Sequence, residues 1–237
     1  MPTREQLRDL IEAGREKEAS DLLPHVDASP PPQPGQWTAK DQLAHLAACR
    51  LVAAAELDAA RTGGDAPDTA EDDVENAKVY AETHHLPAAL ILERGRNSWN
   101  KLVAALDECT DEDLAKPRRR APQQAAWQLI AETAYIHLAD HLGYWADDHG
   151  DEAAAEDAAK WAHQLVFATF TEDQRRGAAD YNLGRYYAMR ERADEAMPYL
   201  RSGLKLRPDL LEWAKQDPDL NLIRSNVELA SMLAGES

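Results

Sequence analysis

Three histidines have the types and spacing that could do chemistry in this chain. His137 and His141 stand at i and i+4 in the run TAYIHLADHLGYW. On a helix they lie one turn apart on one face, and two imidazoles so placed can hold one divalent ion through two nitrogens. His45, on another apolar helix, is a third of the same kind. A three-nitrogen face leaves positions open for water or substrate, as catalytic rather than structural sites do. The bland reading is that these are core histidines satisfied by carbonyls or carboxylates, since His-x-x-x-His also arises by chance and buried histidines are common. Against it, inward imidazoles without a ligand forfeit hydrogen bonds in a low-dielectric core.

The side chains around the pair are the next candidates. Asp140 and Tyr144 flank His141 and are the candidate catalytic residues. Asp140 suits a carboxylate beside the metal ligands, or a surface one, better than the base. Tyr144 and Trp145 are placed to line a pocket, although Trp145 equally suits plain core. Cys49 lies in an apolar helix and reads as a buried thiol rather than a nucleophile. His84-His85 falls at a helix break where exposed polar residues are ordinary. His25, His149 and His163 have no partner at ligand spacing. No Gly-rich phosphate loop, GxSxG elbow or HExxH is present.

These side chains need helices to position them. Thr3 is a cap for a first helix to about Leu23, with Leu7, Leu10, Ile11 and Leu22 apolar. Ser29 to Gly35 (SPPPQPG) forbids helix and makes a rigid loop. Thr38, with Asp41 three residues on, opens a helix from about Ala39 to Arg61, apolar around most of its circumference and therefore central. Thr62 to Asp73 is a polar loop. Helices follow from Val74 to about Thr83 and from Pro87 to about Glu108. Thr110 starts a short acidic turn, and Lys116 to Gln124 is a basic surface loop. One further helix, about Ala125 to Asp148, carries the stripe Trp127, Ala131, Ala134, His137, Leu138, His141 and Trp145. His149 to Glu152 is the expected domain joint.

Composition narrows the function classes. The 237 residues hold 26 Lys+Arg against 43 Asp+Glu, a formal charge of −17. Such a chain repels phosphate backbones and anionic headgroups, so neither nucleic acid nor membrane is an expected partner. With 11 Gly and 2 Phe, helix is favoured over sheet. No transmembrane stretch or secretory h-region is seen. Two cysteines make no disulfide framework, and cytoplasm is the default location.

Two resemblances sharpen the reading. Trp37 to Cys49 (WTAKDQLAHLAAC) and Thr133 to Trp145 look like the two signatures of the DinB/YfiT-like superfamily of four-helix bundles. With Glu75 to Leu114, they look closest to its ClbS/DfsB branch. The resemblance covers roughly residues 3–149. It implies a divalent metal on His45, His137 and His141. It also implies thiol-dependent S-transferase or isomerase chemistry, or the ring-opening hydrolysis found in the ClbS-like branch. One departure stands out: Leu142-Gly143-Tyr144-Trp145 replaces the His-Arg-Gly-Gln-like run that many members carry. Further on, about Gly177 to Leu210 resembles one tetratricopeptide unit of roughly 34 residues. Leu183, Gly184 and Tyr187 fall in its first helix, Ala196, Leu200 and Gly203 in its second, and Pro208 ends it. Flanking helices, about 153–169 and 219–234, are expected to cover its open faces.

The expectation is an all-α chain: an up-down four-helix bundle over 1–150, then a tetratricopeptide-like helical hairpin region over 151–237. The bundle would hold a Zn, Ni or Fe ion and act on a small reactive electrophile by hydrolysis or thiol transfer, in detoxification or self-resistance. The rivals are a protein- or peptide-binding module built on the C-terminal hairpin and a protein that sequesters a small molecule. A homodimer is compatible with either architecture.

Overall fold

The computed structural model describes residues 1–27, 36–65 and 72–235. The Pro-rich loop from Ser29 to Gly35 and the middle of the loop from Thr62 to Asp73 lie outside them. The chain is helical, and one isolated bridge, Pro117 to Ala125, is the sole β pairing among the described residues. It divides into two compact units, Met1–Ala155 and Glu156–Ser237. No helix among the described residues is long and apolar enough to cross a membrane.

The first unit is an up-and-down four-helix bundle. Its helices are α1 (Arg4–Asp21), α2 (Ala39–Thr62), α4 (Ala88–Glu108) and a composite last helix, with α3 (Asp72–Thr83) and α5 (Asp111–Ala115) between them. Local chemistry sets the starts. Thr3 with Gln6, Thr38 with Asp41 and Thr110 with Asp113 each form a reciprocal capping box, satisfying two otherwise orphaned N–H groups apiece. Gly63, with φ 72°, ends α2 in the left-handed conformation that glycine adopts at no steric cost. As its sequence implies, α2 is central: thirteen of its residues besides His45 are buried, among them Leu43, Leu46 and Leu57.

The last helix departs from expectation in a way that bears on the site. It starts at Gln128 rather than Ala125 and is not one regular α-helix. It runs α6 (Gln128–Ala131), a π-turn (Glu132–Ile136) and α7 (His137–Asp148). Within the π-turn the His137 N–H bonds Glu132 O, five residues back. The extra residue rotates everything after it relative to everything before it. Tertiary contacts hold this turn in place. Gly14 on α1 lies so close to the Ala134 carbonyl that an added Cβ would sit 2.1 Å from its oxygen, so only glycine lets α1 reach that backbone. Arg118, expected on a surface loop, instead points inward with a side chain 9% exposed, paired to Glu132 and facing Glu56. Glu132 pins Arg118 alone; Pro117, Arg119 and Arg120 are exposed, so the rest of the loop lies at the surface as expected.

The second unit contains most of α8 (Glu152–Thr169), then α9 (Asp173–Ala188), α10 (Ala193–Leu206), α11 (Leu211–Ala214) and α12 (Val227–Ala234). α9 and α10 form a close helical hairpin. A Cβ on Gly203 would stand 2.8 Å from the Tyr181 backbone N, and one on Gly184 would stand 2.8 Å from the Leu200 side chain. The expected helix 219–234 is instead a 3-10 turn, Pro218–Ile223, followed by α12. Asn226 breaks the run because its side chain caps Glu228 and Leu229 N–H, starting a new helix there.

Candidate metal centre

The bundle brings His45, His137 and His141 together. One ligand nitrogen from each lies within 4.8 Å of the other two, and no other such group of His, Cys, Asp or Glu occurs among the described residues. Ring centroids are separated by 5.0 Å (His45–His137), 4.5 Å (His45–His141) and 4.4 Å (His137–His141). His45 Nε2 and His137 Nε2 are 2.8 Å apart. Two lone pairs do not tolerate that separation without a proton or a cation between them. The regular helical spacing of α7 places His137 over His141, and α2 supplies His45 from across the bundle.

Burial prepares His45 and His141 as neutral donors. Desolvation, with a smaller push from His137, lowers His45 to about 4. Desolvation first, then His137 and His45, lowers His141 to about 2. Both are therefore neutral near pH 7. The tautomer of His141 is set by Gln42, buried on α2, whose side-chain carbonyl oxygen accepts from His141 Nδ1. With Nδ1 occupied, Nε2 is the nitrogen left to bind a cation, an outer-shell arrangement typical of metal-bound histidines. Sequence pattern did not single out Gln42. Its position three residues before His45 was the available signal.

The donor set also fits the group. It is all nitrogen, without carboxylate, which suits Zn, Ni or Fe over Mg or Ca. One turn before His45 the Asp41 carboxyl is buried, with Oδ2 spent on the Thr38 cap and Oδ1 without a hydrogen-bond partner. Aromatic rings surround the histidines. Trp37 lies 5.4 Å from His45, stacks at 6.2 Å on His141, and stacks at 6.1 Å on Tyr80. Tyr144 meets His141 edge-on at 5.7 Å.

The other candidates are placed as follows. Tyr144 is 58% exposed, so its phenol stands at the rim rather than in a closed pocket wall. Asp140 lies on the exposed side of α7 and outside the three-histidine group. Trp145 packs between His25 (4.4 Å) and His149 (4.6 Å). Cys49 is half-buried rather than buried, and its thiol lies 3.4 Å from His45 Nε2. His84 stacks on Tyr80 at 5.0 Å.

Replacing Gln42 with Leu keeps the volume and removes the acceptor for His141 Nδ1. Metal affinity is expected to fall about 10- to 100-fold, measured by competition with a chromogenic chelator. Unchanged affinity would show that Gln42 does not orient the ring.

Comparison with known proteins agrees with the geometry. No curated protein and no solved structure matches the chain. A family model, that of the DinB superfamily, matches residues 15–145, a span that includes all three histidines and more than half of the chain. This chain belongs to the DinB superfamily.

Proposed function

We propose that the protein is a divalent-metal-dependent enzyme that acts on a small reactive electrophile, by hydrolysis or by transfer of a thiol, in detoxification or self-resistance. The observation that carries this reading is the convergence of His45, His137 and His141 from facing helices, with the His141 tautomer set by Gln42. When bound, the ion supplies Lewis acidity, which activates water, holds a thiolate or polarises the electrophile. The chain does the rest. His45 and His141, held neutral by burial, keep their lone pairs for the ion. Trp37 stacks on His141 and lies tilted beside His45. Tyr144 offers a hydroxyl at the open rim. Asp140 is exposed and lies outside the three-histidine group. The likeness of residues 37–49, 75–114 and 133–145 to the ClbS/DfsB branch supports ring opening by water over thiol transfer.

The test uses full-length, metal-loaded protein with a panel of strained-ring and halogenated electrophiles, with and without a low-molecular-weight thiol. Mass spectrometry distinguishes water adducts from thiol adducts. Water adducts are expected, with His45→Ala slowed about a thousandfold, the several kcal/mol that a Lewis acid contributes. Electrophile recovered intact after stoichiometric binding would make the protein a sequestering one and overturn the reading.

A further inference from the structure

We infer that Cys49 is a fourth protein donor to the metal of the three-histidine centre, giving a site of three nitrogens and one sulfur that selects soft and borderline divalent ions. The inference rests on the reading of His45, His137 and His141 as metal ligands. Two elements face that centre, and each presents a pair at i and i+4: His137 and His141 on α7, His45 and Cys49 on α2. Residues four apart share a helix face, so the face of α2 that carries His45 inward carries the thiol with it.

The distances agree with this pairing. Cys49 Sγ is 3.4 Å from His45 Nε2, the same nitrogen that is 2.8 Å from His137 Nε2. The sulfur therefore approaches the coordinating nitrogen of His45 rather than its Nδ1. Zinc binds imidazole at about 2.0–2.1 Å and thiolate at about 2.3 Å, which puts N and S of one tetrahedron roughly 3.5 Å apart. The observed contact has that length. Sγ does not lie within 4.8 Å of all three imidazole nitrogens, so the Cys49 side chain has to rotate toward the ion to ligate it. Ligation replaces the S–H bond with an S–metal bond, and the proton leaves to solvent. Expansion to five-coordination keeps one position for substrate.

The donor chemistry sets the selectivity. Three imidazoles and a thiolate, with no carboxylate in the group, favour Zn, Co or Ni and disfavour Mg, Ca and Mn. Cys109 supplies an internal control. It is buried, with its Sγ facing Leu57 O at 3.7 Å.

The experiment strips full-length protein with chelator and titrates it with Co(II), then competes with Zn(II). Wild type is expected to bind one Co(II) with visible d–d bands and a near-ultraviolet sulfur-to-cobalt charge-transfer band. Cys49→Ser should keep the d–d bands, lose the charge-transfer band and bind Zn(II) at least about tenfold more weakly, with its helical signal unchanged. Cys109→Ser should match wild type. Cobalt bound by wild type without the charge-transfer band, or an identical spectrum in Cys49→Ser, overturns the role of Cys49 and leaves the three-histidine centre standing. Failure of wild type to bind cobalt overturns the centre itself.

Discussion

Replacing His137 and His141 together by alanine is expected to reduce bound metal from about one ion per chain to background. Zinc sites in small domains gain about 10–16 kcal/mol from their whole ligand set. Shared among three or four ligands, each imidazole accounts for a few kcal/mol, so losing two weakens binding by several orders of magnitude. His45 alone would hold an ion in only one direction. The substitution also leaves the Gln42 oxygen without the His141 donor it now pairs with, a cost of about 1–3 kcal/mol. The variant should therefore stay helical while melting somewhat earlier. Elemental analysis of the two purified proteins, read beside their circular dichroism, checks this. Equal metal content in both would remove the metal centre and, with it, the proposed enzyme.

Replacing Glu18 with Ala should destabilise the bundle by about 3–5 kcal/mol, the range for stranding one partner of a buried ion pair. Glu18 is 2% exposed and Arg50 0%. The carboxylate accepts from Arg50 Nη1 at 2.7 Å through one oxygen and from Trp99 Nε1 at 2.7 Å through the other. Arg50 Nε also donates to Ser98 Oγ at 2.9 Å, and the guanidinium lies 4.0 Å over the Trp99 ring. This one network ties α1, α2 and α4. Without Glu18 a buried cation and a buried indole N–H both lose their acceptor. For a unit of this size the loss corresponds to roughly 10 °C or more in Tm. Glu18→Gln retains hydrogen-bonding atoms and should lose less. Glu18→Leu combined with Arg50→Leu should lose less than the sum of the two single changes, since the desolvated charges go together. Urea unfolding of the wild type, the two single leucine variants and the double variant measures the coupling. A loss below about 1 kcal/mol for Glu18→Ala would mean that water reaches the network.

The same network bears on the metal centre. Arg50 follows His45 by five residues and so lies about 140° around α2. Fixing Arg50 against Glu18 and Ser98 fixes the rotation of α2 about its axis, which turns His45 and Cys49 toward α7.

Much of the fold was readable from local chemistry. Thr3 and Thr38 cap their helices as expected because a capping box involves residues three apart. The i, i+4 spacing of His137 and His141 put both rings on one face, and the apolar circumference of α2 marked it as central. Residues distant in sequence were less legible. Cys49 read as an inert buried thiol although His45 stands one turn before it on α2, the same i, i+4 spacing that pairs His137 with His141. Arg118 read as solvated because its acceptor, Glu132, lies beyond a turn.

The sequence by itself determined most of the helical segments, the starts at Thr3 and Thr38, and which imidazoles share a face, since those depend on interactions within a turn or two of chain. The tertiary structure alone decided the π-turn, the Gln42 acceptor, the buried Glu18–Arg50–Trp99 group and the approach of α2 to α7. Each of these comes from packing between helices. Gly14 against the Ala134 carbonyl shows the reason: a one-residue change of helical register is stabilised by a contact 120 positions away, and no periodicity within the helix encodes it.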